Sequence, residues 1–227
     1  MNFFAHFLLD HEPSSPIFNA ALIAPDIIRS FSPDNKRFNW ENIYNNPNAS
    51  PMLKEFSRGC LQHIQRDKQF HESQMFHEIY AICRNEWSQT SKEIGLERFW
   101  FSLHVTVEMI IDKIFISNNL EKLIEFYFTM SNHEKTYIEI LKELQYQNIE
   151  IFQYRYQRFC ESAYLFHYQQ PEKIAYALHR IHKSLGIPTP WHDQQIEPIK
   201  ALVQFTESAI LQHREFQNNF QPLLRTK

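Results

Sequence analysis

The chain has 227 residues, 43% of them apolar and 15% aromatic, with a formal charge of −3 when histidine is counted neutral. That is enough for one domain with a sizeable core, and the charge gives no global case for a nucleic-acid partner, nor is there a basic stripe interleaved with aromatics. Only Gly59, Gly95 and Gly186 are glycines, which disfavours a sheet protein and excludes a glycine-rich phosphate loop or dinucleotide fingerprint.

The opening, MNFFAHFLLDHEPSSP, reads as a short apolar helix or turn over 2–9. It lacks a basic leader and is interrupted by His6 and Asp10, so it makes a poor signal peptide. A helix over 17–29 follows, bent or restarted at Pro25. Residues 31–51, rich in Asn, Pro and Ser, are expected to form a long loop. Ser50 and Pro51 make a cap and first-turn pair for a helix running to about Trp87, with a break near 70–73. Its apolar marks are Leu53, Phe56, Cys60 and Ile64, then Phe76, Ile79, Tyr80, Cys83 and Trp87.

The most apolar helix is expected over 97–117, where Phe99, Trp100, Leu103, Val107, Ile110, Ile111, Ile114 and Phe115 cover most sides. Helices at 120–130, 134–144 and 149–168 come next. Another over 172–185 has Gly186 at its C-terminal cap. After a linker at 186–194 the last helix spans about 195–220. No internal repeat and no convincing strand pattern occurs. The expected fold is all-α, one compact domain over 1–227 with about eight to ten helices. Cys60, Cys83 and Cys160 are odd in number and widely spaced, which reads as three buried thiols in a reducing compartment. No apolar run reaches the roughly 18 residues of a membrane span, so the expected location is cytoplasmic, with no membrane partner.

Two polar ladders stand out. His63, Asp67 and His71 recur every four residues, as do His104, Glu108 and Asp112 in the apolar helix. Residues at i and i+4 share a helix face. Imidazole and carboxylate converging on one volume is a donor set for a divalent ion, so a metal-dependent hydrolase site between two helices is one expectation. The other is structural: an exposed face laced with His–Asp pairs for the first ladder, and for the second a buried salt-bridge network with Lys113 and Arg98. A buried carboxylate needs a partner or a proton in either case. His6, alone in an apolar segment, reads first as a hydrogen-bonded core histidine, and Asp26 as a helix-start residue. The aromatics Tyr154, Tyr156, Phe159, Tyr164 and Phe166 read as core, with a ligand pocket as the weaker option.

Several segments together resemble the acyl carrier protein phosphodiesterases. MNFFAHFLL keeps the family's Asn2, Ala5 and His6. APDIIRS keeps Asp26 and Arg29 of a family element, without its glycines. RGCLQHIQRDKQF carries Gly59, His63 and Asp67 of another, and TVEMIIDKIF places Glu108 and Asp112 at its acidic positions. FQYRYQRF and the ending FQNNFQPLL extend the likeness over most of the chain. The resemblance implies an all-α fold related to the HD phosphohydrolases. It also implies hydrolysis of the phosphodiester that joins 4′-phosphopantetheine to acyl carrier protein, assisted by Mn2+ or Mg2+. The ligands it implies are Asp26, His63, Asp67 and Asp112, supported by His6 and Glu108. His71 takes the place of the family's final Asp, as a further ligand, and His104 of the second ladder is a supporting residue. Asp67, Asp112 and Lys113 are the candidate catalytic residues.

The sequence departs from the family at Ile64, which follows His63 where the family has Arg, at Phe70–His71, at Glu108 and at Lys113, which stands where the family has His. A diverged or catalytically inactive helical binding protein of the same fold is therefore the second expectation. Because acyl carrier protein is acidic, Arg29, Lys54 and Arg58 are candidate docking residues.

Overall fold

The computed structural model describes residues 3–188 and 196–224. Every regular element among them is a helix, as the scarcity of glycine and the periodicity require. Thirteen α-helices and one 3-10 helix are present, more than expected, because several anticipated segments are cut in two.

The segment expected as one helix over 17–29 is α2 (Pro16–Ala21) and α3 (Ala24–Phe31), after α1 (Phe3–Asp10). Pro25 in the first turn of α3 starts a new helix instead of bending an old one. The expected loop at 31–51 contains a short helix, α4 (Trp40–Tyr44), where the Asn39 side chain accepts the Asn42 N–H at 3.0 Å. The Ser50 hydroxyl caps α5 (Pro51–His71) by accepting the Leu53 N–H at 3.1 Å. The expected break at 70–73 is real: Ser73 caps α6 (Gln74–Ile94), accepting the Phe76 N–H at 3.1 Å. That helix runs past Trp87 until Gly95 takes a left-handed φ of 67°.

The apolar helix is α7 (Phe99–Asn118), followed by α8 (Leu120–Asn132), α9 (Glu134–Glu143) and α10 (Ile149–Ser162). α10 ends earlier than expected because Ala163 adopts φ 43°, after which Tyr164–Gln169 is a 3-10 helix. α11 (Pro171–Ser184) closes with Gly186 at φ 64°, as expected. Of the expected linker only 186–188 is described. The single helix expected over 195–220 is α12 (Ile196–Gln212) and α13 (Arg214–Leu224), interrupted at His213.

The chain divides into two compact units. The first holds Phe70–Asn119 and the chain from Leu165 onward. Its centre is α7, with Leu103, Val107, Ile110 and Phe115 fully buried. Trp87 is fully buried beside Thr206, whose hydroxyl accepts the indole N–H at 3.0 Å and donates to the Leu202 carbonyl at 2.8 Å. Each large side chain so buried contributes about 1.5–3 kcal/mol.

The second unit holds Phe3–Gln69 and Leu120–Tyr164. Its core is aromatic: Phe7 meets Phe126 edge-on at 5.3 Å, and Tyr137 lies 4.8 Å from Tyr156. Both buried tyrosine hydroxyls have acceptors, Tyr137 on the Ala20 carbonyl and Tyr156 on that of Met130, each at 2.7 Å, which offsets their desolvation. A Cβ on Gly59 would stand 2.5 Å from the Phe18 carbonyl and 2.7 Å from the Ala21 Cβ. Glycine there is what lets α2 lie directly on α5.

Some expected core positions are surface. Ile64 is 45% exposed and Trp100 56%. Cys60 and Cys83 are buried, whereas Cys160 is half-buried. Tyr156 and Phe159 belong to the core as expected, whereas Tyr154, expected with them, is exposed. No helix among the described residues is long and apolar enough to cross a membrane.

Candidate functional site

Within the first unit one residue of the first ladder joins the second. His71, the last residue of α5, meets His104 and Glu108 of α7. His71 Nε2 lies 2.9 Å from Glu108 Oε1, and His104 Nε2 lies 3.1 Å from the same oxygen. The two imidazole centroids are 4.6 Å apart. The α7 part of this group follows from helix geometry, since i and i+4 side chains are neighbours. The α5 part follows from helix length: Ser73 starts α6, so α5 stops at His71.

All three ligand atoms lie within 4.8 Å of one another, and among the described residues no other group of three metal-type donors does so. Two imidazoles and a carboxylate so arranged can hold a metal ion. Exposure grades across the group. The Glu108 side chain is 4% exposed, His71 25% and His104 37%, so the carboxylate is sealed while the rings reach solvent. Burial by itself would raise the Glu108 pKa. Nearby positive charge and the hydrogen bonds from His104 and His71 outweigh it, and the carboxyl stays well below its usual range. It is therefore an anion at neutral pH. Phe76 packs edge-on against both rings, at 5.1 Å from His71 and 5.2 Å from His104.

Asp112 is fully buried one turn along α7. Lys113 is also buried, and its ammonium pairs with Glu207 of α12.

In the second unit His63 is buried against α2. Its Nδ1 lies 2.8 Å from the Leu22 carbonyl. A carbonyl only accepts, so Nδ1 carries the hydrogen and Nε2 of the neutral ring keeps its lone pair. That Nε2 stands 3.9 Å from Asp26 Oδ1, beyond hydrogen-bond length. The buried His6 ring lies over His63 at 4.0 Å. The structure thus brings together His6, His63 and Asp26, as the sequence suggested, with a carbonyl fixing the tautomer as it does for many ligating histidines. Asp67 is half-buried on α5.

Of the candidate docking residues, Arg29 is exposed and Lys54 half-buried. Arg58 is engaged: its guanidinium forks onto both Glu12 oxygens at 2.8 Å and reaches Glu55 at 2.9 Å, over the Phe18 ring. Burial raises the thiols of Cys83 and Cys160 to about 11 and that of Cys60 well above its usual value, so no cysteine is a thiolate nucleophile at neutral pH.

No protein-family model, curated protein or solved structure matches this chain.

Sequence reasoning found both ladders and placed His104 and Glu108 in a supporting role. It missed that His71 leaves its own ladder for theirs. The available signal was Ser73, whose capping position ends α5 where His71 can face another helix.

Proposed function

We propose that the protein is a metal-dependent phosphodiesterase resembling the acyl carrier protein phosphodiesterases. Its substrate would be the 4′-phosphopantetheine phosphodiester of holo-acyl carrier protein, and its fold an HD-phosphohydrolase-like one. The observation that carries the metal part of this reading is the half-open His71–His104–Glu108 group. A divalent ion bound there supplies a Lewis acid for a phosphoryl oxygen and a bound water acidic enough to ionise near neutral pH. Glu108, sealed and anionic, anchors one coordination position. His71 and His104 hold two more through Nε2 on the solvent side, and Phe76 keeps both rings in register. The substrate part rests on the resemblance, which also implies Mn2+ or Mg2+ and the positions Asp26, His63, Asp67 and Asp112.

The test uses the purified full chain, stripped of metal and then resupplied with Mn2+, Mg2+ or Zn2+. Release of phosphopantetheine from holo-acyl carrier protein is read as a mass loss, beside hydrolysis of bis(p-nitrophenyl) phosphate. Metal-dependent turnover that disappears in His104→Ala supports the reading. Absence of turnover on both substrates with every ion defeats it.

A second reading, a helical interaction protein without catalysis, is favoured by one contact. Lys113, a candidate catalytic group, is committed to Glu207. Under this reading Lys113→Met lowers stability and no substrate is consumed.

A further inference from the structure

The donor ratio of the first-unit group bears on which ion it takes. Hard cations such as Mg2+ collect carboxylate, carbonyl and water oxygens, whereas imidazole nitrogen suits zinc and its late first-row neighbours. Here two nitrogens stand against one oxygen. Among the described residues no other histidine, cysteine or carboxylate ligand atom joins the three within 4.8 Å. Phe76 packs on both rings and offers no oxygen.

Distances agree with the same class. With bonds of about 2.0–2.2 Å to nitrogen and oxygen, neighbouring ligands of one zinc ion lie about 2.9–3.5 Å apart. The two imidazole nitrogens stand 2.9 and 3.1 Å from Glu108 Oε1. An ion at bonding distance from all three atoms sits off the present N···O lines, so the two rings and the carboxylate turn to meet it as it displaces the ring protons that now bridge to Glu108. The buried carboxylate supplies one negative charge, and the His104 side chain, 37% exposed, reaches water.

We infer that His71, His104 and Glu108 form a zinc-class centre, a two-nitrogen, one-oxygen face that takes Zn2+ in preference to Mn2+ and Mg2+. This rests on the metal centre of the reading above and replaces the ion that the family resemblance implies.

The experiment titrates the metal-stripped full chain with Zn2+, Co2+, Mn2+ and Mg2+ in competition with a chromophoric chelator. The expected result is one tight Zn2+ per chain, bound at least about a hundred-fold more strongly than Mn2+. His104→Ala and Glu108→Gln each weaken Zn2+ by at least about ten-fold. His77→Ala, an exposed histidine of α6 outside the group, leaves binding unchanged. Circular dichroism checks that each variant is folded. Where one is not, the Co2+-loaded native chain gives the answer: intense visible absorption of four- or five-coordinate cobalt, displaced by Zn2+ and not by Mg2+. Mn2+ or Mg2+ binding as tightly as Zn2+ overturns the inference. So does Zn2+ affinity unmoved by His104→Ala in a folded variant, or the pale spectrum of six-coordinate Co2+. Hydrolysis supported by Mn2+ without tight Zn2+ binding defeats this inference and leaves the phosphodiesterase reading standing. Tight Zn2+ binding without hydrolysis does the reverse.

Discussion

His63 and His71 stand about two helical turns apart on α5, yet their surroundings are opposite. His63 is sealed beneath α2, its Nδ1 spent on the Leu22 carbonyl and its ring beneath that of His6. His71 is a quarter exposed and turns its Nε2 to a buried carboxylate. A neutral carbonyl orients a ring and selects its tautomer. A carboxylate does that and also supplies charge, which is what a cation or an imidazolium needs. The same residue type on one helix is thus given different capacities by the element that covers it. His182, in the first unit, is a third case: fully buried, with Ser102 Oγ 2.9 Å from its Nε2.

The comparison can be broken most severely through pH. Burial, and then the nearby His179 and Arg98 charges, depress the His182 pKa from 6.5 to about 4. The unfolded chain therefore takes up a proton below pH 6.5 that the folded chain refuses until about 4. Stability from this group is complete above pH 6.5 and is lost as pH falls, by at most about 3 kcal/mol. Urea midpoints measured from pH 7.5 down to 4.5 should fall more steeply in the native chain than in His182→Gln. Equal slopes would mean that this histidine is not sealed.

Next in size is Gly59→Ala. The added methyl meets the Phe18 carbonyl and the Ala21 Cβ, so α2 must shift, at a cost of about 2 kcal/mol. A lowered melting temperature together with a changed His63 ring resonance is expected, while His71 and His104 keep theirs. A variant as stable as the native chain would show that the sealed histidine does not depend on the close approach of α2.

Glu108→Gln removes the charge that both half-buried rings share. The metal-free variant should show shifted His71 and His104 ring resonances by NMR and an unchanged His63. The direct stability effect is about 1.5–3 kcal/mol, the range for a charged hydrogen bond. Movement of His63 with the other two would erase the distinction between the clusters. The smallest effect expected is for Arg29→Ala, an exposed side chain, whose stability change stays within about 0.5 kcal/mol. Titration against holo-acyl carrier protein then reads docking apart from folding. Unchanged affinity in Arg29→Ala would remove it from the docking set.

Local chemistry made much of the fold legible. The Ser50–Pro51 start of α5, the break before Ser73 and the Gly186 end of α11 follow from caps and left-handed backbone, which are properties of a few adjacent residues. The breaks at Leu22–Ile23 and at His213 were not legible, because neither carries a glycine and Pro25 reads equally as a bend or a restart. The exposed Ile64 and Trp100 were invisible for a related reason: periodicity names a helix face but not whether anything covers it.

By itself the sequence determined that the chain is helical, and that His104 and Glu108 share a face, since four-residue spacing on a helix leaves no alternative. Only the tertiary structure decided that His71 joins them while His63 goes to the Leu22 carbonyl. Which helix packs over a given turn is set by burial across the whole core, and four-residue spacing carries no information about it.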